Sequence, residues 1–288
     1  MAVLGENRYG KAEVRLVRVD RGRQPHAICD WNVSVSLAGD MREVHLSGAN
    51  DQVLPTDTQK NTVYALAQQL GTVEPEAFAL ALARHFVDRQ PGISRAWVRL
   101  DSYGWTSIGP HSLLRSGGEI RTVTVVHDEQ SGSWVVGGLR ELTLLNTTDS
   151  EFWGFARDEY TTLAETTDRM LATSVEARWR LRATDYDGWD WAAVHERARQ
   201  ALIQAFVDTY SYSLQQSLYA MGCRVLAEVP EICEVRLALP NKHHFLVDLS
   251  PFGLPNDNEV YLAADRPYGL IEGQVLAEDA PDAGPAWT

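Results

Sequence analysis

The apolar pattern of this 288-residue chain repeats once: strand-like segments, then two helix-like segments, then strand-like segments again. In the first half, residues 31–37 alternate apolar and polar side chains, as a half-buried strand does. Residues 56–70 and 75–89 then carry apolar stripes at helical spacing. This order predicts antiparallel sheets with helices packed on one face, an α+β fold. The repeat lies in the pattern and not in residue identity.

The first half also gives specific local predictions. Residues 41–46 are predicted to return after a turn at 38–40 as the second arm of a hairpin. Thr56 is the predicted N-cap of the first helix, with Gln59 placed as in a capping box, and Gly71 ends that helix. Other strands are predicted at 13–19, 94–100, 104–108, 120–127 and 133–143, with a connector at 144–150.

The second half repeats the order with a strand at 178–183 and helices at 189–206 and 213–228. A hairpin of residues 234–239 and 245–249 is predicted around a turn at 240–242. We therefore expect two structural units, residues 1–146 and 147–288. So few helices leave one sheet face uncovered, and that face must meet solvent, a ligand or another subunit. Nine tryptophans favour assembly.

Charge and composition exclude several classes of protein. The net charge of −13 disfavours nucleic acids and anionic membrane surfaces as partners. No stretch approaches the ~20 apolar residues of a membrane span, and the N-terminus lacks a signal-peptide core. The last four residues, PAWT, are not a peroxisomal address, so a cytoplasmic location is expected. The last dozen residues have the composition of a disordered tail.

Common cofactor motifs are absent from the sequence. Three widely spaced cysteines indicate reduced thiols and not a disulfide or metal pattern. There is no dinucleotide fingerprint, Walker A loop, zinc-protease motif or nucleophile elbow. The glycine pairs at 117–118 and 137–138 are assigned to hairpin turns. His243 and His244 are adjacent in a predicted strand, so they face opposite sides and cannot chelate one metal. We expect no metal cofactor.

Four segments concentrate polar or aromatic side chains: YGK at 9–11, TDTQKNTVY at 56–64, FWGFARDEYTTLAETTDR at 152–169 and LPNKHHF at 239–245. Each alone has a plain explanation, such as a solvated lysine, a capped helix start, core aromatics beside an exposed charge, or a turn. A helix N-terminus, however, is also an anion site. Aromatic rings beside an arginine can stack on and clamp a planar anion.

Together, in this order and spacing, the four segments resemble the urate oxidase (uricase) family from Tyr9 to about Gly269. The resemblance implies two tandem tunnelling-fold (T-fold) units, each a four-stranded antiparallel sheet with two helices on one face. It implies four subunits stacked into a tunnel-shaped barrel, a homotetramer with active sites at subunit interfaces. The implied reaction converts urate, oxygen and water to 5-hydroxyisourate and hydrogen peroxide in purine catabolism, without metal, flavin or haem.

The resemblance also implies roles for residues of this chain. Arg169 and Gln215 would clamp urate, and Phe152 would stack on its ring. The backbone amides of Asp57 and Leu214 would bond the ring edges. Lys11, Thr56 and His243 would form a proton relay. Thr56 and Asn241 would hold oxygen, and Leu163 would line the pocket. Members often have valine at the position of Leu214, but either residue offers the same amide.

The chemistry is consistent with such a site. Ground-state oxygen is a triplet, so it accepts electrons from a closed-shell molecule one at a time, and a urate dianion can supply them. The protein must then remove a proton and hold the partners together. A lysine is ordinarily protonated at neutral pH. Lys11 must either be desolvated to act as a base or stay charged and stabilise the dianion, and the sequence leaves both open.

Two other functions fit parts of the pattern. Pterin enzymes on the same fold typically anchor the ring with a glutamate, and some need zinc ligands. Here the anchor would be Gln215 beside Arg169, and there is no Cys/His cluster. A non-catalytic oligomeric binding protein would keep the clamp but would not need Lys11, Thr56 and His243 together. The oxidase accounts for all of these residues.

Overall fold

A computed structural model describes residues 2–183, 185–186 and 188–288. Its main element is one eight-stranded antiparallel sheet, ordered β1-β2-β3-β6-β7-β8-β9-β10, with a small β4–β5 hairpin beside it. The strands are β1 (Tyr9–Asp20), β2 (Ala27–Gly39), β3 (Ile93–Ser102), β4 (Trp105–Ser107), β5 (Leu113–Arg115), β6 (Ile120–Asp128), β7 (Gly132–Asn146), β8 (Leu171–Leu181), β9 (Ile232–Leu246) and β10 (Tyr261–Leu276). The helices are α1 (Arg42–Leu46), α2 (Thr56–Leu70), α3 (Pro75–Arg89), α4 (Trp191–Asp208) and α5 (Leu214–Glu228).

The element order repeats as the sequence predicts. The first set is β1-β2-α2-α3-β3-β6 and the second is β7-β8-α4-α5-β9-β10, each with four strands in the main sheet and two helices. The fold is therefore α+β, with two tandem T-fold units. The boundary expected between residues 146 and 147 stays a prediction. The repeated order itself divides the chain in the β6–β7 turn at 129–131.

The helices cover one face of the sheet because the strands bury alternate side chains. Along β2, Trp31, Val33 and Val35 are buried, whereas the residues between them are only partly covered. The ring of Trp31 packs 4.8 Å from that of Phe78 on α3. A ring of this size buries about 150–250 Å², worth about 4–6 kcal/mol of transfer free energy before entropic costs. These contacts hold the helices against the sheet.

The prediction that the glycine pair at 137–138 lies in a hairpin turn was wrong, because both glycines lie inside β7. Gly137 is paired with Trp179 of β8, and a Cβ on Gly137 would lie 2.5 Å from the Trp179 indole nitrogen. Glycine is therefore required here by the close approach of a buried ring. Gly117, with φ of 48°, does lie in a loop, between β5 and β6.

The helix predictions at 56–70 and 75–89 match α2 and α3. The predicted cap of α2 was wrong, because Pro55 occupies the N-cap position and Thr56 is the first helical residue. Gln59 does not form a capping box. Its side chain is buried, and its amide nitrogen donates to the Leu54 carbonyl oxygen, 3.3 Å away. Gln59 thus fastens the loop before the helix.

Several strand predictions needed correction. Residues 41–46 were predicted as a strand, but 42–46 form the short helix α1, because both edges of β2 are already paired, one with β1 and the other with β3. The predicted connector at 144–150 begins too early, because β7 runs to Asn146. The strand predicted at 178–183 begins too late, because β8 starts at Leu171. The turn predicted at 240–242 is also wrong. β9 runs straight through it and pairs with β10, a strand that the sequence pattern does not predict.

The last residues are ordered and not a disordered tail. A 3-10 helix at Gly284–Trp287 buries Ala286, and the indole nitrogen of Trp287 donates to a Glu234 carboxylate oxygen at 3.1 Å. The Arg236 guanidinium carbon lies 3.9 Å from the centre of the Trp287 ring. The tail is therefore fixed to the sheet face opposite the helices.

Candidate active site

The start of β1 is tied to the start of α2. The Tyr9 hydroxyl donates to the Leu54 carbonyl oxygen at 3.1 Å and accepts from the Leu54 backbone nitrogen at 2.9 Å. Lys11 lies two residues beyond Tyr9, and Thr56 lies two residues beyond Leu54. A single tyrosine therefore holds two predicted site residues at one corner of the molecule.

The first turn of α2 lies within the electrostatic range of Lys11. Lys60 lowers the pKa of Asp57 most, through a hydrogen bond and its positive charge. The Asn61 amide, which donates to Asp57 at 3.1 Å, and the charge of Lys11 lower this pKa further. The Asp57 side chain is thus occupied by neighbours on its own helix. Its backbone amide is at the helix N-terminus, where amides lack helical partners and favour anions.

A β-bulge follows Lys11. The β1–β2 register shifts between Lys11 and Val14, and Glu13 has φ of 59°. The Glu13 backbone nitrogen donates to the Ser34 hydroxyl at 3.0 Å, which stabilises this left-handed conformation. Bulges of this kind change the direction of side chains at the end of a strand. The local strain therefore sits next to the candidate catalytic lysine.

A second group of predicted residues surrounds Arg169. The Arg169 side-chain Nε donates to the Ser150 hydroxyl at 3.0 Å, and its guanidinium carbon lies 5.1 Å from the centre of the Phe152 ring. Phe152 in turn stacks on Phe155, with ring centres 5.0 Å apart. Burial lowers the pKa of Arg169. Within the described part of the chain, Arg169 forms no ion pair. A partly buried guanidinium without a carboxylate is suited to bind an anion.

The first turn of α5 is joined to the same region. Ser150 forms a β-bridge with Ser211, just before α5. Ser213 caps the helix by accepting from the Gln216 backbone nitrogen at 3.2 Å. Leu214 is buried and Gln215 is exposed, so the Gln215 side chain is accessible from solvent at the start of α5.

Asn241 and His243 lie on β9 at the same end of the sheet as Arg169. β8 begins two residues after Arg169, and its Thr173 pairs with Asn241. The His243 ring lies 5.8 Å from the Phe245 ring, on the face shared by alternate residues. The sheet narrows to β9 and β10 beyond Asn241.

Leu163 is 55% exposed, in the loop between Phe152 and Arg169. Its backbone is close to a turn in which the Asp158 nitrogen donates to the Thr161 hydroxyl at 2.8 Å. No hydrogen bond or ring contact fixes Leu163 itself relative to Arg169 in the portions of the chain that are described. Leu163 therefore lies in the same loop as the second group, and its role in the pocket stays a prediction.

The two groups do not meet within one chain. We call Lys11, Thr56 and Asp57 the Lys11 half-site; the Arg169 half-site comprises Phe152, Arg169, Leu214, Gln215, Asn241 and His243. β1, which carries Lys11, is one edge of the sheet. β9, which carries Asn241 and His243, is next to the other edge, six strand spacings from β1. At about 4.8 Å per spacing this is about 29 Å along the sheet. No hydrogen bond or ion pair joins the half-sites among the described residues.

Sequence reasoning missed the residues that support each half-site. Tyr9 lies in the YGK segment, but the resemblance implies a role only for Lys11, two residues further on. Ser150, Ser211 and Ser217 are buried. Isolated serines in a predicted connector, between two predicted helices and in a helix carry no sequence signal of their own. The only available signal for Ser150 was its proximity to the aromatic segment that begins at Phe152.

Large apolar side chains near the Arg169 half-site are uncovered in the single chain. They include Trp153, Tyr160, Phe245, Leu262 and Tyr268, each more than half exposed. Such a surface is typical of a protein interface. Among the residues described, no group of three or more His, Cys, Asp or Glu side chains could hold a metal ion. No described helix is both long and apolar enough to cross a bilayer.

Comparison with known proteins gives one consistent family. The sequence model of the family described as Uricase matches residues 7–128 and 135–272. The uricase of Arthrobacter globiformis is 47% identical over 290 aligned positions, covering 99% of this chain and 94% of that protein. The uricase of Dictyostelium discoideum is 37% identical, with 96% and 98% of the two chains covered.

Solved structures give the same result. The crystal structure of the Arthrobacter globiformis uricase superposes with a TM-score of 0.95 at 46% sequence identity, covering 100% of this chain and 99% of that one. A uricase from Bacillus fastidious superposes with a TM-score of 0.81 over 96% of each chain, at 23% identity. The second comparison shows the fold alone.

Proposed function

Because the chain belongs to the uricase family, we propose that it is a urate oxidase whose active site is assembled from two copies of the chain. The observation that carries this function is Arg169: a partly buried guanidinium, without an ion pair among the described residues, 5.1 Å from an aromatic ring. A planar anion satisfies both groups at once, because its edge accepts hydrogen bonds while its face stacks.

Urate binding would use both arms of the Arg169 half-site. The Arg169 fork would bond one edge of the purine, and the Gln215 amide, with a donor and an acceptor, would bond the other. Phe152, already stacked on Phe155, would offer its remaining surface to the ring. The backbone amides of Leu214 and of Asp57, the latter from a neighbouring chain, would complete the ring contacts, with Leu163 beside them.

Proton transfer would belong to the Lys11 half-site of the neighbouring chain, with His243 completing the relay. The Tyr9–Leu54 pair of hydrogen bonds supports this role, since it joins the strand start that carries Lys11 to the loop that leads into Thr56. Either Lys11 accepts a urate proton through Thr56, or its charge stabilises the urate dianion. Thr56 and Asn241 would hold oxygen, and later water, above the ring.

The reaction balances without a bound redox group. Urate gives two electrons, one at a time, to oxygen, which takes up two protons and leaves as hydrogen peroxide. Water adds to the oxidised ring and gives 5-hydroxyisourate, a step of purine catabolism. The residues have to orient urate, hold oxygen close and move protons.

Assembly would close the site. The half-sites lie about 29 Å apart along the sheet, so a second copy must bring a Lys11 half-site to each Arg169 half-site. The exposed apolar residues around the Arg169 half-site support such an interface. We propose a homotetramer in which sheets of two tandem units close into a tunnel-shaped barrel.

The test is consumption of urate by metal-stripped protein. After dialysis against a chelator, the protein should remove urate only with oxygen present, producing one peroxide for each urate and each oxygen consumed. Arg169→Ala serves as the matched control and should lose this activity at low urate. No urate loss, or activity that requires restored copper or iron, would refute the proposal.

A further inference from the structure

Three buried serines lie beneath the Arg169 half-site and belong to none of its proposed contacts with urate. We call Ser150, Ser211 and Ser217 the serine cluster; their exposed fractions are 0%, 1% and 2%. A buried hydroxyl is costly unless it is hydrogen-bonded, so its partners indicate what it supports. Here the partners lead to both arms of the proposed clamp.

Ser150 fixes Arg169 at two points. The Ser150 hydroxyl accepts from the Arg169 Nε at 3.0 Å, and the Ser150 carbonyl oxygen accepts from the Arg169 backbone nitrogen at 2.9 Å. Holding Nε fixes the plane of the guanidinium. Within the described residues, neither terminal nitrogen of Arg169 makes a hydrogen bond, so the fork is left to a ligand.

Ser211 connects Ser150 to the other arm. Its backbone bonds both neighbours of Ser150, accepting from the Glu151 nitrogen at 2.8 Å and donating to the Asp149 carbonyl oxygen at 2.9 Å. Its hydroxyl donates to the Ser213 carbonyl oxygen at 3.1 Å. Ser217 supports this arrangement by donating to the Ser211 hydroxyl at 2.9 Å. Ser213 is the N-cap of α5, one residue before Leu214 and two before Gln215.

We infer that Ser150 is a positioning residue for urate binding. Its hydroxyl orients the Arg169 fork, and its bridge to Ser211 sets the distance from that fork to Gln215. This inference rests on the proposed function, since it takes Arg169 and Gln215 as the two arms of the clamp. A clamp held in its bound geometry loses less freedom when the ligand arrives, and this raises affinity.

The test is urate affinity measured without turnover. Urate is titrated by calorimetry under argon, because without oxygen it binds but cannot react. Ser150→Ala should weaken binding about tenfold or more, as expected when one hydrogen bond to a charged group is lost. In air, KM should rise similarly while kcat changes less than about twofold, because the interaction serves bound substrate and transition state alike.

The matched control is Ser133→Ala. Ser133 is also buried, at 1% exposure, and its hydroxyl lies 2.8 Å from the His127 Nδ1, on β7 of the sheet. It should lose a comparable amount of thermal stability and bind urate within about twofold of the unaltered protein. Equal weakening by both serine variants would mean a general structural effect and would overturn the inference.

A double-mutant cycle separates action through Arg169 from any other route. In an Arg169→Ala background, adding Ser150→Ala should change urate affinity less than about twofold, because the group it orients is absent. The same loss in both backgrounds would overturn the inference. If Arg169→Ala alone leaves affinity unchanged, the proposed clamp fails. If it weakens binding while Ser150→Ala does not, only the positioning role fails.

Discussion

Replacing Glu234 with alanine should destabilise the fold by about 3–5 kcal/mol and leave urate affinity unchanged. Glu234 and Arg180 form a buried ion pair, each with 2% of its side chain exposed and with 2.9 Å between Arg180 Nε and a Glu234 carboxylate oxygen. Alanine would leave the Arg180 charge buried, and the partners left to it among the described residues would be the Pro281 and Asp282 carbonyl oxygens. It would also release Trp287 of the tail.

The ion pair dominates this magnitude. The bonds from Arg236 and Trp287 to Glu234 contribute about 1 kcal/mol each and are not additive with it. For a protein of this size, 1 kcal/mol shifts Tm by about 2–4 °C, so a fall of roughly 6–20 °C is expected. This ion pair is distant from the candidate site. Arg180, the strand partner of Glu234, lies seven residues along β8 from Thr173, and Thr173 pairs with Asn241 of the Arg169 half-site. At about 3.3 Å per residue this is about 23 Å from the site.

The assay is thermal unfolding combined with urate titration under argon at a temperature well below the transition. A control variant, Arg180→Met with Glu234→Met, removes both charges and should recover part of the lost Tm. Burial alone would raise the pKa of Glu234, but hydrogen bonds from Arg236, Trp287 and Arg180 lower it. The stabilisation is therefore complete above the unfolded-state pKa, about 4.3, and decreases as pH falls through the lower folded-state value. A Tm change below about 2 °C in Glu234→Ala would refute this account.

Three further predictions concern the site and the core. Lys11→Met should lower kcat by about 10²–10⁴ while urate affinity stays within about threefold; a large loss of affinity in calorimetry would contradict its assigned role. Phe152→Ala should weaken urate binding by about tenfold, as expected for lost ring stacking, and unchanged affinity would exclude that contact. Burial, followed by the charges of Arg121 and Arg199, lowers the pKa of His195 to about 3. Its contribution to stability is thus complete above about pH 6.5 and falls at lower pH; His195→Leu should flatten this dependence between pH 6.5 and 4, measured by denaturant unfolding, and an unaltered slope would contradict it.

Local patterns predicted the helices well and the strands less well. Residues 56–70 and 75–89 carry complete apolar stripes, and Gly71 and Pro75 mark the ends, so α2 and α3 were found with their bounds. β10 was missed because it is an edge strand whose apolar side chains, such as Leu262 and Leu270, are largely exposed. Such a strand lacks the in–out alternation that identifies a half-buried one.

Proline and asparagine misled the prediction around Asn241. Residues 240–242 have the composition of a turn, yet β9 continues because its neighbours supply the pairing: Pro240 lies opposite Leu270, and Asn241 opposite both Thr173 and Gly269. These partners are distant in sequence, so no local signal could outweigh the turn residues. The tertiary context decided the backbone conformation.

Motifs identified candidate site residues but not their arrangement. Lys11 and Arg169 each lie in a recognisable segment, and the structure places each with other predicted residues. That they lie far apart in one chain follows only from the strand order, which puts β1, the strand of Lys11, five strands away from β8, the strand that follows Arg169. Ser150 is a further example, because its role depends on contacts with Arg169 and Ser211 that no spacing predicts.

The most direct test of a site shared between chains is complementation. Lys11→Met and Arg169→Ala chains are each made alone and co-expressed in equal amounts, and urate oxidation is compared. If every site takes Lys11 from one chain and Arg169 from another, random assembly leaves about one site in four intact, so the mixture should recover about a quarter of the unaltered activity. Activity in the mixture no higher than the average of the two inactive parents would contradict the shared site.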